Sequence, residues 1–347
     1  KQFSNILLKK YNISNKTINL YSKDFKIDPK NYYIDGLFGI GLNREICGDY
    51  LDIINKMQNC KNVISIDIPS GILCDTGCDL GINIKAKYTL TMGYPKLGHF
   101  FNSGLDNSGD VHILDIGFKP LENQNNYIHL IEKKDIQRVI IRNKKSNHKY
   151  NRGKVLVIAG SFGYTGACIL AVQGVVRIGA GIVKLLVSPE LNSIYETMLP
   201  EAITIPILKN HSKCINDSNI NVVKEEIEWA NAILFGPGLN IDHNASEWMV
   251  ETLKNINKPL VLDASGFHPL IENRISLNDL PPETILTPHY SEFSHIFNIP
   301  LEDVINNTID VIKNIISQLN KRVLVLKGPT NIIVTSTGKI ELFLGVI

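Results

Sequence analysis

The stretch that decides the fold is a short apolar run that ends in a glycine turn: Lys154-Val155-Leu156-Val157-Ile158-Ala159-Gly160-Ser161. Residues 154–159 predict a buried strand, and residues 166–178, which are rich in Ala, Val and Leu, predict a helix. The turn between them lies where small residues and a helix N-terminus favour an anion such as phosphate. This order of strand, turn and helix is typical of an open α/β sheet, which binds ligands in the loops that follow its strands.

Similar junctions between an apolar run and small or polar residues occur along the second half of the chain. In order, they are His148-Lys149, Gly163-Tyr164-Thr165-Gly166-Ala167, Gly236-Pro237-Gly238-Leu239, Thr287-Pro288-His289-Tyr290-Ser291-Glu292-Phe293 and Val325-Leu326-Lys327-Gly328. Further strands are predicted at residues 182–187, 232–235, 260–262, 285–286 and 322–326. Amphipathic helices are predicted at residues 245–254 and 304–319. Because strands alternate with helices, we expect mostly parallel sheets covered on both faces, in a nucleotide-handling enzyme.

The first half of the chain predicts a second parallel sheet. Apolar runs at residues 32–34 and 63–68 end in the acids Asp35 and Asp67, and a helix-compatible segment lies between them at residues 50–57. Two more strands are predicted, at residues 88–92 and 111–115. The stretch that follows them is rich in Asn, Lys and Gln, and its apolar residues show no regular spacing. The domain boundary is therefore expected there.

Length and composition indicate a two-domain globular enzyme whose partners are small molecules. The chain has 347 residues, of which 44% are hydrophobic and 20% are charged, with a net charge of +2. That charge gives no reason to expect nucleic acid or a membrane surface as a partner. No apolar run reaches the roughly 18 residues that span a bilayer, and no signal peptide opens the sequence, so we expect a cytoplasmic protein, and also a homo-oligomer. Cys74 and Cys78 lack the second pair of a structural zinc site, so reduced thiols are expected.

Two acids at predicted strand ends mark a candidate site in the first half. Asp35 precedes a glycine-rich turn whose backbone N–H groups can approach an anion, although a tight structural turn has the same sequence. Asp67 precedes Ser70 by three residues. Two carboxylates and a hydroxyl suit a simple cation and a group that moves a proton. Lys96 either adds a positive charge to the same rim or is a solvated turn lysine.

The second half offers a lysine after one strand and a histidine after another. Lys327 precedes a Gly-Pro-Thr-Asn turn. Its cation, open backbone and hydroxyl suit the binding of phosphate oxygens, although the end of a purely structural strand has the same sequence. No Walker sequence Gly-x4-Gly-Lys-Ser/Thr occurs, which excludes the ordinary P-loop. His289 precedes Glu292 by three residues. A lone histidine at such a place is more often a loop residue with satisfied hydrogen bonds than a catalyst. The spacing His-x-x-Glu is by itself a poor metal-binding motif.

At these motifs the first half of the chain resembles the NAD(P)H-hydrate epimerase domain, as far as residues 89–98. The resemblance implies a Rossmann-like fold, of which this chain has the carboxyl-terminal part. It implies that Asp35 and Ser70 bind potassium and that Asp67 is catalytic and contacts the damaged nicotinamide ring. It also implies that the turn lines the phosphates of the hydrate through Gly39, Ile40, Gly41, Leu42, Asn43, Arg44 and Glu45. The family's Asn-Asn-Gly-Gly-Asp-Gly loop does not occur in this sequence, so an incomplete half-site is expected.

The second half resembles the ribokinase-like NAD(P)H-hydrate dehydratase domain nearly throughout. The resemblance implies that Ala167, Gly238 and His289 contact the hydrate, and that His289 is also catalytic. It implies that one segment contacts ADP or ATP, with Mg²⁺ bridging the nucleotide phosphates: Lys327, Gly328, Pro329, Thr330 and Asn331. Asp263-Ala264 also stands where the family has it.

Together these resemblances predict an α/β protein of two domains that repairs hydrated NADH and NADPH. We expect the carboxyl-terminal part of a Rossmann-like epimerase domain at residues 1–125, a linker at 126–145 and a ribokinase-like dehydratase domain at 146–347. The first would interconvert the R and S hydrates, and the second would dehydrate the S hydrate. A small-molecule kinase of the same fold and a non-catalytic nucleotide-binding remnant remain alternatives. The family's Gly-x-Gly-Asp segment is not seen before the last residue, so a chain cut at both ends, with weak nucleotide affinity and slow dehydration, is expected.

Overall fold

The computed structural model describes five ranges of the chain: residues 21–119, 127–139, 152–207, 220–241 and 243–345. The chain divides into two compact units, Lys1–Lys119 and Pro120–Ile347. The motif His148-Lys149 lies outside the described residues, as do residues 126 and 140–145 of the predicted linker. Over the described ranges, no helix is both long and apolar enough to cross a bilayer.

The first unit contains a parallel sheet with the strand order β1-β2-β3-β4. Its strands are β1 (Tyr33–Asp35), β2 (Val63–Ile66), β3 (Tyr88–Met92) and β4 (Asp110–Leu114). The connections include the helices α1 (Gly48–Met57) and α2 (Asn102–Asn107). Ile54 and Met57 of α1 pack with Val63 of β2 in one buried cluster, which holds the helix against the sheet. Because β1 and β2 are parallel neighbours, the residues at their carboxyl ends lie at the same edge.

The predicted strand over residues 63–68 ends early, at Ile66. Asp67 has a φ of +70°, in the left-handed region that residues with a Cβ rarely adopt, so it cannot continue the pleat. Its backbone N–H instead donates to the carbonyl of Leu90 on β3 at 2.9 Å. The turn therefore places Asp67 beside the end of β3 and not in line with β2.

The second unit is built on a sheet with the strand order β5-β14-β13-β12-β11-β10-β9-β6-β7-β8. Its strands are β5 (His129–Leu130), β6 (Lys154–Ile158), β7 (Ile182–Val187), β8 (Ala202–Pro206), β9 (Ala232–Phe235), β10 (Leu260–Leu262), β11 (Thr284–Leu286), β12 (Val323–Leu326), β13 (Asn331–Thr335) and β14 (Ile340–Phe343). From β12 to β8 every neighbouring pair is parallel, as predicted. The pairs β12–β13 and β13–β14 are antiparallel, and β5, which lies in the predicted linker, pairs in parallel with β14.

Helices connect the parallel strands of this sheet. They are α3 (Lys133–Val139), α4 (Thr165–Arg177), α5 (Asn192–Met198), α6 (Ile220–Trp229), α7 (His243–Asn255), α8 (His268–Ile271), α9 (Tyr290–Phe297), α10 (Leu301–Asn306) and α11 (Thr308–Ile315). Cys168 and Val172 of α4 pack with Val157 of β6 and Leu185 of β7 in a buried cluster. The apolar face of α4 therefore fixes the turn between β6 and α4 over the carboxyl ends of the strands.

The single helix predicted over residues 304–319 is wrong. The chain leaves helical geometry at Asn307, where φ is −129° and ψ is 37°, so that α10 and α11 are separate helices. A short 3₁₀ helix, Ile316–Leu319, follows α11. The apolar spacing still identifies the buried face, because Val304, Ile312 and Leu319 are each 0% exposed. Side-chain periodicity reports which face is buried, and one irregular residue between two turns does not interrupt it.

Candidate active sites

A buried carboxylate lies at the centre of the first site. Asp35, the last residue of β1, is only 2% exposed. Its Oδ2 accepts hydrogen bonds from the hydroxyl of Ser65 at 2.7 Å and from the backbone N–H of Ser70 at 2.9 Å. Its Oδ1 accepts from the hydroxyl of Ser70 at 2.6 Å and from the N–H of Leu37 at 3.3 Å. The carboxylate is therefore held in place by donors from the neighbouring strand β2 and from two turns.

This arrangement fits the potassium ion that the resemblance implies. Ser70 is 1% exposed, and its hydroxyl oxygen also accepts the N–H of Phe38 at 2.9 Å. The atoms gathered here are hard oxygens, which simple cations prefer. In the described ranges, no lysine, arginine or histidine forms an ion pair with Asp35, so a bound cation would balance a buried negative charge.

A second carboxylate of the first unit is paired with a lysine. The Nζ of Lys96 forms an ion pair with Oδ1 of Asp67, and both side chains are largely shielded, with 18% and 19% exposed. The same Oδ1 accepts the N–H of Met92 at 3.2 Å and lies 3.3 Å from the hydroxyl of Thr91. Burial by itself raises the pKa of Asp67, but the hydrogen bonds from Lys96 and Met92 and the charge of Lys96 outweigh it, so the pKa lies below its ordinary value. Asp67 is therefore ionised at neutral pH, and Lys96 is its largely shielded partner and not a solvated turn residue.

The turn after β1 presents an open surface beside Asp35. Gly39 and Gly41 have no atom within 4 Å of the position that a Cβ would occupy. Arg44 and Glu45 are exposed, as is Asn43. The predicted phosphate-lining loop, from Gly39 to Glu45, thus has backbone that a ligand can approach closely.

The second unit gathers its predicted residues at the carboxyl ends of neighbouring parallel strands. The turns after β6 and β9 are tied together, because Gly160 N–H donates to the carbonyl of Pro237 at 2.8 Å and the hydroxyl of Ser161 donates to the carbonyl of Gly238 at 2.8 Å. A Cβ on Gly238 would lie 3.0 Å from the Cβ of Ala167, so these two predicted hydrate contacts are adjacent. The lack of a side chain at Gly238 therefore lets the turn after β9 pack closely against the start of α4.

An ion pair joins the next strand ends. The Nζ of Lys327, which follows β12, lies 2.6 Å from Oδ1 of Asp263, which follows β10. The hydroxyl of Thr287, which follows β11, donates to the same Oδ1 at 2.8 Å. Lys327 is 28% exposed and Asp263 is 25% exposed, so the pair is accessible to a ligand. An ammonium group with one of its three protons committed to a carboxylate can still donate to phosphate oxygens.

His289 lies beside Lys327 and caps a helix. Residues 289 and 327 form a parallel bridge, and Lys327 N–H donates to the carbonyl of Pro288 at 2.8 Å. The Nδ1 of His289 accepts the N–H of Glu292 at 3.2 Å, and the Glu292 carboxylate accepts the N–H of His289 at 2.8 Å. Because Nδ1 accepts, the neutral ring carries its proton on Nε2. The side chain is 56% exposed, so Nε2 can reach a bound molecule.

The segment from Lys327 to Asn331 turns inward along its length. Thr330 is 1% exposed and Asn331 is 2% exposed. The Oδ1 of Asn331 accepts the N–H of Gly328 at 3.2 Å, and its Nδ2 donates to the carbonyl of Gly345. The amide of Asn331 therefore shapes the turn, and the surface open to a nucleotide comes from its first three residues.

Comparison with known families identifies the family to which the second unit belongs. The family model described as NAD(P)H-hydrate dehydratase matches residues 155–343, more than half of the 347 residues. The chain belongs to this family. A second family model, described as YjeF-related protein N-terminus, matches residues 4–98. The matched region is the amino-terminal one of the two, and it precedes the dehydratase match along the chain.

Curated relatives of this NAD(P)H-hydrate dehydratase family member are bifunctional. The chain is 36% identical over 308 residues to the Bifunctional NAD(P)H-hydrate repair enzyme Nnr of Dictyoglomus turgidum, covering 86% of the chain and 59% of that protein. It is 28% identical over 307 residues to the enzyme of the same name from Thermofilum pendens, covering 88% of the chain and 58% of that protein. The chain therefore spans less than two thirds of the length of these relatives.

Solved structures support the fold of the dehydratase domain. A ribokinase-like superfamily protein from Enterococcus faecalis superposes with a TM-score of 0.56 at 22% identity, over 66% of this chain and 75% of that one. The ADP/ATP-dependent NAD(P)H-hydrate dehydratase of Bacillus subtilis, co-crystallised with ATP and Mg²⁺, gives a TM-score of 0.50 at 23% identity, over 63% of this chain and 73% of that one. At these identities the likeness shows a ribokinase-like fold.

Several side chains at the two candidate sites of this dehydratase family member have no signal of their own in the sequence. Ser65 looks like any alternating strand residue, and only the parallel register, which places it opposite Asp35, brings it into contact. Thr287 belongs to the motif around His289, and its contact with Asp263 depends on the pairing of β10 with β11. Tyr195, which is 1% exposed, lies under the turn at Gly160.

Gly160 and Gly163 provide a matched pair for testing that turn. Both adopt the left-handed region, with φ of +85° and +83°. A Cβ on Gly160 would overlap the hydroxyl of Tyr195 and lie 2.7 Å from the Cβ of Cys168, whereas a Cβ on Gly163 would meet nothing within 4 Å. We expect Gly163→Ala to lower the free energy of unfolding by about 1–2 kcal/mol through backbone strain alone. Gly160→Ala should lose roughly 1–3 kcal/mol more through overpacking, measured by urea denaturation. Equal losses would show that the packing under Gly160 is unimportant.

Proposed function

We propose that this chain repairs hydrated NADH and NADPH, with an epimerase site in the first unit and a dehydratase site in the second. The observation that carries the proposal is that two family matches follow one another along the chain. In each matched region, side chains that suit ligand binding lie at the carboxyl ends of neighbouring parallel strands. In this proposal the first domain covers residues 1–125, the linker covers residues 126–145 and the dehydratase domain covers residues 146–347.

In the first unit, a Rossmann-like epimerase site would interconvert the R and S hydrates. Asp35 and Ser70 would hold K⁺, whose charge would favour the phosphates of the hydrate in the turn from Gly39 to Glu45. Asp67 would contact the hydrated ring through its ionised carboxylate. Two observations support this assignment: the carboxylate of Asp35 is buried without an ion pair to any lysine, arginine or histidine of the described residues, and the backbone of the neighbouring turn is open.

In the second unit, a ribokinase-like site would dehydrate the S hydrate. Ala167, Gly238 and His289 would hold the hydrate, and the segment from Lys327 to Asn331 would hold ADP or ATP. Transfer of a phosphoryl group to the ring hydroxyl turns a poor leaving group into phosphate, and its elimination restores the dihydropyridine. Among the described residues, no three His, Cys, Asp or Glu side chains cluster to bind a metal. Mg²⁺ would therefore be held mainly by the nucleotide phosphates, as it commonly is in proteins.

Separate sites predict separate losses of activity. We expect Asp67→Ala to lower R/S exchange by about 100- to 10,000-fold, the range for a group that assists proton transfer, with nucleotide-dependent NADH formation from the S hydrate unchanged. His289→Ala should do the reverse. Exchange is measured by chromatography of the hydrates, and dehydration by the absorbance of NADH, with the protein in excess so that slow turnover is detected.

Matched controls are available in the same regions of the chain. Asp106→Ala removes an exposed acid of the first unit, and His295→Ala removes an exposed histidine from the helix that His289 caps. Both controls should leave both activities intact. Equal loss of the two activities in folded Asp67→Ala and His289→Ala proteins would contradict two independent sites. Accumulation of a phosphorylated product without NADH would favour the small-molecule kinase instead.

A further inference from the structure

The backbone of Asp67 needs support from outside its own strand. With φ at +70°, the residue adopts a conformation that is unfavourable for any side chain with a Cβ. Its carbonyl oxygen lies 2.8 Å from Nε2 of His99. Because Lys96 N–H donates to Nδ1 of the same ring at 3.2 Å, the ring proton is on Nε2 and points to the carbonyl of Asp67. His99 is 2% exposed, so this bond is shielded from water.

The carboxylate of Asp67 is fixed by the other end of the same turn. The Nζ of Lys96 binds Oδ1 and also lies 2.9 Å from the hydroxyl of Thr91. It further donates to the carbonyls of Tyr94 at 3.1 Å and Met92 at 3.3 Å. These acceptors engage all of the protons of the ammonium group, so Lys96 has none left for a ligand. In the described part of the chain, no donor is bonded to the other oxygen of Asp67, Oδ2.

The turn that carries both residues is tightly packed. It contains a short 3₁₀ helix, Leu97–His99. Gly98 N–H donates to the carbonyl of Cys74 at 2.6 Å. A Cβ on Gly98 would overlap the carbonyl of Leu73, and one on Gly104 would overlap the carbonyl of Gly98. Backbone packed so closely on both sides cannot shift without disturbing its neighbours.

We infer that Lys96 and His99 are positioning residues that clamp Asp67 at two points, its Oδ1 and its carbonyl, and leave Oδ2 as the atom that accepts a hydrogen bond from the hydrated ring. The inference rests on the proposed epimerase function of the first unit. Lys96 could either position Asp67 or bind the hydrate directly. Direct binding would require an ammonium proton that is not already donated to the protein. The clamp instead predicts that Lys96 works only through Asp67.

A double-mutant cycle distinguishes the two roles. Lys96→Met should lower kcat of R/S exchange about 10- to 100-fold, since small displacements of a reacting group have such effects. KM should change little, because the phosphate contacts lie in the turn after β1. In the Asp67→Asn background, Lys96→Met should cause no further loss. Additive losses would overturn the clamp in favour of direct action by Lys96.

Conservative variants provide the controls for folding. Lys96→Arg keeps a cation and should retain more exchange activity than Lys96→Met. His99→Gln keeps a donor near the place of Nε2 and should retain more than His99→Leu. Lys85→Met removes an exposed lysine of the same unit and should have no effect. A His99→Gln protein no better than His99→Leu, when both are folded, would argue against the bond to the carbonyl of Asp67.

A readout without turnover keeps the clamp testable even if the chain shows no epimerase activity. In protein labelled with ¹³C at aspartate carboxyls, the Asp67 signal is identified by its loss in Asp67→Asn. The titratable groups around this carboxylate are Lys96, His99 and the thiol of Cys74, whose pKa burial raises to about 11. The Asp67 signal should titrate below the ordinary aspartate range in the wild type. It should move upward in Lys96→Met, because burial then acts without its partner. An unchanged midpoint would overturn the inference, whereas a shift without any R/S exchange would support the clamp and contradict only the proposed function.

Discussion

Replacing Asp35 with alanine is expected to lower the free energy of unfolding of the first unit by on the order of 3–5 kcal/mol. The substitution removes the acceptor of four hydrogen bonds at a site where Asp35, Ser65 and Ser70 are each at most 2% exposed. Buried donors that lose their acceptor keep the full cost of desolvation. Urea denaturation measures the effect, with Asp106→Ala as the exposed control.

The same variant tests the proposed potassium site. A cation that binds only the folded protein raises its stability as its concentration rises. KCl should therefore raise the unfolding midpoint of the wild type above that in an equal concentration of tetramethylammonium chloride, and Asp35→Ala should not show the difference. A loss below about 1 kcal/mol, within the ordinary range for a single substitution, would contradict the network. An equal potassium effect in both proteins would contradict the ion site alone.

Replacing Lys327 with methionine is expected to weaken binding of Mg²⁺-ATP or Mg²⁺-ADP about 10- to 100-fold, the effect of losing one charge-assisted hydrogen bond. The ammonium group lies at the edge of the sheet, 28% exposed, with one contact to Asp263. Methionine keeps most of the length of the stem without the charge. Isothermal titration calorimetry measures the dissociation constant.

Lys313→Met is the matched control for this substitution. Lys313 is 55% exposed on α11 and pairs with Asp310 of the same helix. It should bind nucleotide like the wild type. If Lys327→Met and Lys313→Met bind equally well, Lys327 has no part in a nucleotide site. If both variants bind more weakly in parallel, and if their loss of affinity relative to the wild type grows at low salt, the lysines act through general charge and not through a specific contact.

Most of the parallel strands could be predicted from the sequence, because they are short apolar runs that end in, or are soon followed by, Gly, Asp or Lys. The parallel strand β8 (Ala202–Pro206) lacks this signal and was not predicted. The antiparallel hairpin of β13 and β14 was not predicted, since residues 331–335 and 340–343 follow the last recognised motif and are joined by an ordinary polar turn. The break at Asn307 was missed because the apolar spacing continues across it.

The candidate sites were predictable where an acid or a lysine follows a strand directly. Asp35, Asp67 and Lys327 are of this kind. The residues that orient them are recognisable only in three dimensions: Ser65 through strand register, Thr287 through strand order and His99 through a turn 32 residues away from Asp67. Side chains that act through a neighbour have no sequence signal of their own, because the contact depends on packing between distant segments.

The measurement that tests the central claim most directly starts from the R hydrate of NADH. Purified protein in excess is mixed with the R hydrate, K⁺, Mg²⁺ and either ATP or ADP, and the absorbance of NADH is followed against a sample without protein. Only the S hydrate is dehydrated in this account, so NADH forms from the R hydrate only if both sites work in sequence. The account predicts that NADH appears faster than in the sample without protein, that it disappears in Asp67→Ala, and that the S hydrate still yields NADH with that variant. Formation of a phosphorylated hydrate without NADH, or NADH formation from the R hydrate that Asp67→Ala leaves unchanged, would contradict it.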